Sequence, residues 1–95
     1  MQVLIPGYRY QLSNRESNNT NVLQFVHTEK NELLFDGTTD EEVINVLIDR
    51  MRTMDSKVPC MDNKIYIALL EGALYRLEKR TNDRTARGVE GTDLP

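Results

Sequence analysis

The stretch TDEEVINVLIDRMRTM, residues 39–54, decides the fold, because apolar side chains recur in it at three- and four-residue spacing. The recurring positions are Val43, Leu47, Met51 and Met54. This spacing puts the four side chains on one face of an α-helix and leaves polar side chains on the opposite face. The stretch therefore predicts a first helix with one packed face.

Residue types at both ends mark the limits of this helix. Thr39 and Glu42 match a capping box, and the acidic residues Asp40 to Glu42 place negative charge at the positive end of the helix dipole. Pro59 cannot continue a helix and disfavours helical geometry at Val58. We therefore expect the helix to start just after Thr39 and to end near the segment DSKVPC.

A second helix is predicted from Asp62 or Asn63 to Arg87. Its apolar stripe consists of Tyr66, Leu69, Leu70, Ala73, Leu74 and Leu77. Gly88 then fits the left-handed position that follows many helices. Because the connection between the two helices is short and their stripes match, they are predicted to form an antiparallel hairpin.

Before the helices, the pattern is typical of β-structure. The segments that favour strands are YRYQL (8–12), VLQFVHTE (22–29) and a short third one, NELLF (31–35). A cluster of turn formers, NRESNNTN, separates the first two segments and predicts a hairpin with a long loop. The pair Asp36-Gly37 favours a tight turn.

Together these elements predict an α+β fold in a single domain, residues 1–95. A small antiparallel β-segment (1–38) is followed by the antiparallel two-helix hairpin (39–87) and a polar tail (88–95). The apolar surface of the second helix is wider than one hairpin and a small sheet need to cover, because it also includes Ile65, Ile67 and Leu69. We therefore expect a homo-oligomer, either a dimer or a larger assembly.

The composition excludes several classes of protein. The chain has 95 residues, of which 39% are hydrophobic and 28% charged, and no run of about 18 apolar residues that could span a membrane. The N-terminus has no basic segment of the kind that opens a signal peptide, so we expect a cytoplasmic protein. One cysteine, Cys60, and one histidine, His27, are too few for a structural zinc site, and no cofactor is predicted.

The charge is unevenly distributed along the chain. The net charge is −3, yet residues 76–87 hold five basic side chains against two acidic ones. Arg76, Arg80, Arg84 and Arg87 fall in one row on the predicted helix. One interpretation is structural, because basic side chains near a helix C-terminus offset its dipole by about 0.3–1 kcal/mol each. The other is a phosphate ligand, which the planar fork of arginine binds in bidentate fashion.

A nucleotide would also need a surface for its base. The aromatic candidates are Tyr8, Tyr10, Phe25, Tyr66 and Tyr75, although core packing is the simpler interpretation of each. Asn63 could read a base edge or a ribose, and its alternative role is a helix cap. Cys60 with His27 would be the only nucleophile and base, and nothing else selects this pair, so Cys60 is expected to be a small buried hydrophobe. We therefore predict a protein that is not an enzyme.

From DGTTDEEVINVLIDRM through VPCMDNKIYIALLEGALYRLEKRTNDRTARGVEGT, about 56 residues, the chain resembles the helical hairpin of the phage-encoded Thoeris anti-defence sponge family. The most specific pieces are LIDRM, the Cys60-x-x-Asn63 pair and, above all, LEKRTNDRTARGVEGT. A similar hairpin occurs in phage sponges that bind the cyclic oligonucleotides of CBASS defence. Residues 1–35 resemble the family only loosely.

The resemblance implies a non-catalytic protein of the bacterial host cytoplasm that captures cyclic ADP-ribose isomers made by Thoeris TIR-domain enzymes. Some members of the family also hold cyclic trinucleotides at a separate site in a hexamer. The paired arginines of the family correspond to Arg80 and Arg84, and its pocket asparagine corresponds to Asn63. Where the family has a base-stacking phenylalanine, this chain has Thr53 and Met54. Met54 can contact a base but lacks a π-face, so either an aromatic side chain from elsewhere in the chain takes this role or the ligand preference differs. Arg87 and Tyr75 complete the candidate site.

Three other functions remain open at this point. The chain could be a structural or regulatory module that binds another protein, with arginines that only complement the helix dipole. A nucleotide-cleaving enzyme is disfavoured because no metal cluster or paired nucleophile and base is predicted. A DNA-binding repressor is disfavoured because the arginines form one short row in an acidic protein. Neither DNA nor a membrane is an expected partner.

Overall fold

The computed structural model of the chain describes residues 1–86 and Gly88, which form two compact units. The first unit contains the strands and extends to Thr39, and the second begins at Asp40 and contains both helices. The antiparallel strands followed by two helices confirm the predicted α+β class. The single domain predicted for residues 1–95 stays a prediction.

Five short strands make up the first unit. They are β1 (Gln2–Ile5), β2 (Arg9–Ser13), β3 (Thr20–Gln24), β4 (His27–Glu29) and β5 (Glu32–Phe35). The first three form an antiparallel sheet in the order β1-β2-β3, in which Tyr10 of β2 is opposite Val3 and Leu23. The last two form a separate antiparallel pair. The predicted β2-β3 hairpin and the short strand at NELLF are confirmed.

The first strand, β1, was not predicted, although its connection to β2 has a clear sequence signal. Pro6 and Gly7 are the central residues of the turn, Gly7 has a φ of 83°, and the Tyr8 amide donates to the Ile5 carbonyl at 2.9 Å. Proline followed by a residue with positive φ is the signature of a type II turn. The Pro-Gly pair therefore joins two antiparallel strands.

The strand predicted over residues 22–29 is interrupted between β3 and β4. At this break the Val26 amide donates to the Thr38 carbonyl, and the Thr38 amide donates to the Gln24 carbonyl. The backbone between β3 and β4 therefore pairs with Thr38, which follows β5, and does not continue as one strand. Gly37 makes this approach possible, because a Cβ on it would lie 2.5 Å from the Gln24 carbonyl oxygen. The tight turn predicted at Asp36-Gly37 is wrong. The two-residue hairpin turn is instead at Lys30-Asn31, both with positive φ, as type I′ turns require.

The two helices are α1 (Asp40–Lys57) and α2 (Met61–Ala86). The first helix begins directly after Thr39, as predicted, and the second begins at Met61, one or two residues before the predicted start. Gly88 has a φ of 73°, which confirms the left-handed conformation expected at this position. The predicted tail from residue 89 onward lies outside the described residues.

The helices pack through an apolar seam around Ile48, which is only 4% exposed. On α1, the four side chains that predicted the helix are all half-buried. On α2, the half-buried positions alternate by four and three residues, as in a coiled coil: Asn63, Ile67, Leu70, Leu74, Leu77, Thr81 and Arg84. The predicted stripe on α2 is therefore only half right, because Tyr66, Leu69 and Ala73 are exposed.

Candidate functional site

The arginine row lies near the C-terminal end of α2. Arg76 and Arg80 are exposed and Arg84 is half-buried. Each four-residue step turns about 40° further round a helix with 3.6 residues per turn, so the row winds from the solvent side toward the seam with α1. Arg87 lies outside the described residues. The row thus presents Arg80 to solvent, whereas Arg84 is half-buried.

The row extends beyond the part of α2 that α1 covers. Two interhelical ion pairs set the antiparallel register: Lys64 Nζ lies 2.9 Å from Asp55 Oδ2, and Arg52 Nη2 lies 3.5 Å from Glu71 Oε2. This register places Asp40, the first residue of α1, opposite about residue 81, so slightly more than the last turn of α2 has no α1 residue opposite. Arg84 is in this projecting part.

Tyr75 lies on a different side of α2 from the other candidate residues. It lines an open depression of about 340 Å³ together with Glu78, Lys79, Asn82 and Asp83. Nine residues separate Tyr75 from Arg84, which corresponds to roughly half a turn around the axis. The guanidinium carbon of Arg76 lies 6.0 Å from the centre of the Tyr75 ring, at the outer limit of a cation–π contact. The Tyr75 ring and the Arg84 guanidinium therefore face different directions in one chain.

The opposite end of the hairpin holds Met54 and Asn63. Met54 is half-buried within α1, which continues to Lys57, and its carbonyl accepts a hydrogen bond from the Val58 amide at 3.0 Å. Asn63 is in the first turn of α2, where its side-chain amide donates to the Val58 carbonyl at 3.2 Å. The interpretation of Asn63 as a residue that stabilises the helix start thus has a structural basis, beside its candidate role in binding.

Asp55 organises this end, and the sequence pattern did not single it out. Its Oδ1 accepts from the amide of Cys60, the residue before α2, at 3.1 Å, while Oδ2 pairs with Lys64. The hydrogen bond from Lys64, followed by that from Cys60, lowers the pKa of the Asp55 carboxyl below its ordinary value of 3.8. The acidic residue five positions before Cys60 was the sequence signal that could have indicated this contact.

Two ends of one helix separate the candidate residues into two groups. Along α2, Asn63 and Arg80 are about 25 Å apart and Asn63 and Arg84 about 32 Å apart, at 1.5 Å per residue. The structure therefore brings Met54 and Asn63 together at the loop end and places Arg80 and Arg84 at the other end. No cyclic dinucleotide-sized ligand can touch both groups in one chain.

The aromatic candidates fall into two groups, one packed against other rings and one exposed on α2. Tyr8 stacks on His27 with ring centres 3.6 Å apart, and Tyr10 meets Phe25 edge to face at 6.2 Å, so core packing is the right interpretation for these residues. Tyr66 and Tyr75 are 40% and 61% exposed. Cys60 is exposed, so the expectation of a buried thiol is wrong.

Two further properties bear on the kind of site. Across residues 1–86 and 88, no three histidine, cysteine, aspartate or glutamate side chains are grouped so that they could hold a metal ion. Neither helix, over the same residues, is both long enough and apolar enough to cross a bilayer.

Comparison with known proteins gives one informative match. Over 57 residues the chain is 42% identical to Thoeris anti-defense 1 of Bacillus phage SBSphiJ7. The matched segment is 59% of this chain and spans only 40% of the length of that protein. No family model matches the chain. The identity confirms the resemblance to Thoeris anti-defence proteins that the hairpin sequence indicated.

Proposed function

We propose that the protein is a non-catalytic phage anti-defence protein that binds cyclic ADP-ribose isomers and sequesters them in the host cytoplasm. The observation that carries this proposal is the identity with Thoeris anti-defense 1 over 57 residues. Tight binding of the signal lowers its free concentration, so the downstream effector is not activated. Cyclic trinucleotides are the second class of ligand to test.

The chemistry of the arginines supports an anionic ligand. A pyrophosphate offers two pairs of oxygens, and each guanidinium can donate two parallel hydrogen bonds to one pair. Arg80 is exposed at a place where the otherwise acidic chain concentrates positive charge. Arg84 is half-buried, and a less hydrated guanidinium makes a stronger contact with a phosphate. In this proposal Arg80 and Arg84 hold the phosphates, and Arg87 extends the row.

The other candidate residues would recognise the nucleoside part of the ligand. Asn63 carries both a donor and an acceptor, which suit a base edge or a ribose hydroxyl. Met54 has a flexible, polarisable side chain that can lie against an adenine. Because Asn63 is about 25 Å from Arg80 along the same helix, a site that contains both residues requires two copies of the protein.

Self-association is therefore part of the proposed function. Apolar side chains on α2 remain exposed in one chain, among them Met61, Ile65 and Leu69, and a second copy would cover such a surface. We expect a dimer or a hexamer at micromolar concentration, measured by analytical ultracentrifugation. A monomer of 11.0 kDa that binds ligand with full affinity would contradict a shared site.

The decisive experiment measures binding and the fate of the ligand together. The protein is incubated with cyclic ADP-ribose, its linkage isomers and cyclic di- and trinucleotides, and melting shifts are recorded. A ligand at 100 times its dissociation constant stabilises the folded state by about 2.7 kcal/mol. The complex is then denatured and the ligand analysed by mass spectrometry. Intact ligand supports a sponge, whereas a cleaved ligand would identify an enzyme.

A protein-interaction module is the second candidate, and the exposed apolar side chains of α2 favour it. Leu69, 70% exposed, is the most exposed leucine on the helix. The same panel distinguishes the two functions, because an interaction module shows no melting shift with any cyclic nucleotide. Its arginines would then act only on the helix dipole.

A further inference from the structure

Asp36 and Gly37 form the one aspartate–glycine pair in the sequence. They follow β5, and the Gly37 amide donates a hydrogen bond to Oδ1 of the Asp36 side chain, with nitrogen and oxygen 2.8 Å apart. Because a carbon–oxygen bond is about 1.2 Å long, this nitrogen lies within about 4 Å of the carboxyl carbon, Cγ. Reacting atoms held at about 3–3.5 Å are in a conformation close to attack. The folded chain therefore keeps a backbone nitrogen beside a carbon with which it can form a five-membered ring.

We propose that Asp36-Gly37 is a site of spontaneous backbone modification, at which the folded protein converts Asp36 to isoaspartate. In the first step the Gly37 nitrogen bonds to Cγ of the neutral carboxyl group, the Cγ–OH bond breaks, and the hydroxyl leaves as water with the amide proton. The product is a succinimide ring. Water then adds to one of the two ring carbonyls and gives either aspartate or isoaspartate, in which the main chain runs through Cγ. The reaction needs no ligand, so the inference is independent of the proposed function.

The surroundings of the pair favour this reaction. Both residues are exposed, so water reaches the ring. Gly37 has no side chain that would hinder the approach of its nitrogen to Cγ. It also lies outside the strands, so the attack breaks no ladder hydrogen bond. By contrast, the amides that follow Asp49 and Asp55 are inside α1, where bonds to the carbonyl four residues earlier hold them in place.

The modification would loosen the segment that closes the first unit. Isoaspartate adds a methylene carbon to the main chain before Gly37, which has no room to shift toward β3, since a Cβ on it would already lie 2.5 Å from the Gln24 carbonyl oxygen. The Asp36 carbonyl accepts from Gln24 Nε2 at 2.6 Å, and the following Thr38 pairs with Gln24 and Val26. These contacts depend on the present length of the backbone. Conversion of Asp36 therefore weakens the pairing of Thr38.

The site is tested by incubating the intact protein in heavy-oxygen water under mildly acidic conditions, because ring opening adds one oxygen atom from the solvent. Peptide mapping by mass spectrometry should find heavy oxygen and isoaspartate at Asp36. Glu71-Gly72 is the internal control, since its side chain would have to close a six-membered ring within a helix, and we expect at least about tenfold less label there. The matched variant Asp36→Glu should abolish labelling at position 36. Equal labelling at the two pairs, or labelling that persists in the variant, would overturn the proposal.

A second measurement determines whether the folded contact promotes the reaction. Labelling of Asp36 is followed in the native protein and in the protein unfolded in urea. Because the native contact already holds the nitrogen beside Cγ, the native protein should react at least as fast as the unfolded chain. A slower native rate would overturn the role of the contact.

The effect of the modification is measured on the isoaspartate form, separated by chromatography from the unmodified protein. The Thr38 and Val26 amides should exchange hydrogen at least about tenfold faster in this form, because their hydrogen bonds open more often. The Tyr10 amide in β2 is the control and should exchange at the same rate in both forms. Unchanged exchange at Thr38 and Val26 would overturn the predicted loosening.

Discussion

Asn63 and Arg80 lie at opposite ends of the same helix, about 25 Å apart along its axis. Asn63 is in the first turn of α2, where its amide contacts the Val58 carbonyl, and Arg80 is exposed near the end. A helix is a rigid spacer, so no side-chain motion brings these two groups onto one nucleotide. Any site that uses both must combine Asn63 of one copy with Arg80 of another.

This arrangement predicts complementation between two inactive variants. Asn63→Ala and Arg80→Ala should each lose binding when pure, because every site then lacks one partner. In a mixed dimer, one site combines the intact Asn63 of one chain with the intact Arg80 of the other. After co-refolding in equal amounts, calorimetry should therefore recover about a quarter of the wild-type binding sites. Recovery of no sites in verified mixed dimers would contradict the shared site.

Gly37 is predicted to be indispensable for the packing of the first unit. Gly37→Ala would place a Cβ against backbone atoms of Gln24 and Phe25, which cannot rotate away as a side chain would. We expect a loss of about 1–3 kcal/mol, measured as the opening free energy from hydrogen exchange at the Thr38 and Val26 amides. Asn18→Ala in the exposed loop is the control and should change this value by less than about 0.5 kcal/mol.

The helices could be predicted from sequence because their signals are local. The spacing of Val43, Leu47, Met51 and Met54 fixes the packed face of α1, and Thr39 fixes its start. The sequence could not show which of two strips on α2 packs against α1, since both repeat every three and four residues. Only the position of the partner helix decides that Leu70 and Leu74 are covered while Tyr66 and Leu69 are not.

The structural features that the sequence did not predict depend on contacts between residues that are distant in the sequence. The break after β3 exists because the backbone at Gln24 meets Gly37 and Thr38, and no pattern within residues 22–29 reveals it. The Asp55–Lys64 contact joins the ends of two helices, which become neighbours only after the hairpin closes. The separation of the candidate arginines from Asn63, by contrast, already follows from the single long helix that the sequence predicted and that the structure shows.

Asp55 should make the hairpin sensitive to acid. The hydrogen bond from Lys64 lowers the pKa of the Asp55 carboxyl in the folded protein. At pH values above the ordinary pKa of 3.8, the ionised carboxylate therefore stabilises the fold. This stabilisation is lost as the pH falls through the lowered pKa of the folded state. Asp55→Asn keeps an acceptor for the Cys60 amide but cannot titrate. Wild type should therefore melt higher than Asp55→Asn at about pH 6, and the difference should shrink below about pH 3.

The control for this prediction removes a charge elsewhere on the same helix. Asp49 is exposed on α1, and its carbonyl, not its side chain, accepts from Thr53. Asp49→Asn should melt close to wild type at both pH values. If the difference in melting temperature between wild type and Asp55→Asn were the same at both pH values, the stabilising contact would not depend on the charge of Asp55.

The last prediction separates the two roles of the arginine row. If Arg80 and Arg84 only offset the helix dipole, lysine at either position keeps the charge, and neither stability nor binding should change by more than a few tenths of a kcal/mol. If they hold a pyrophosphate through bidentate contacts, Arg80→Lys and Arg84→Lys should each weaken binding by about 1.5–3 kcal/mol, roughly 10- to 100-fold, while the melting temperature of the unliganded protein stays unchanged. Arg50→Lys, on the exposed surface of α1, is the matched control in the same calorimetric titration. Wild-type affinity in both variants would return the row to its structural role and leave the sequence identity as the sole support for the site.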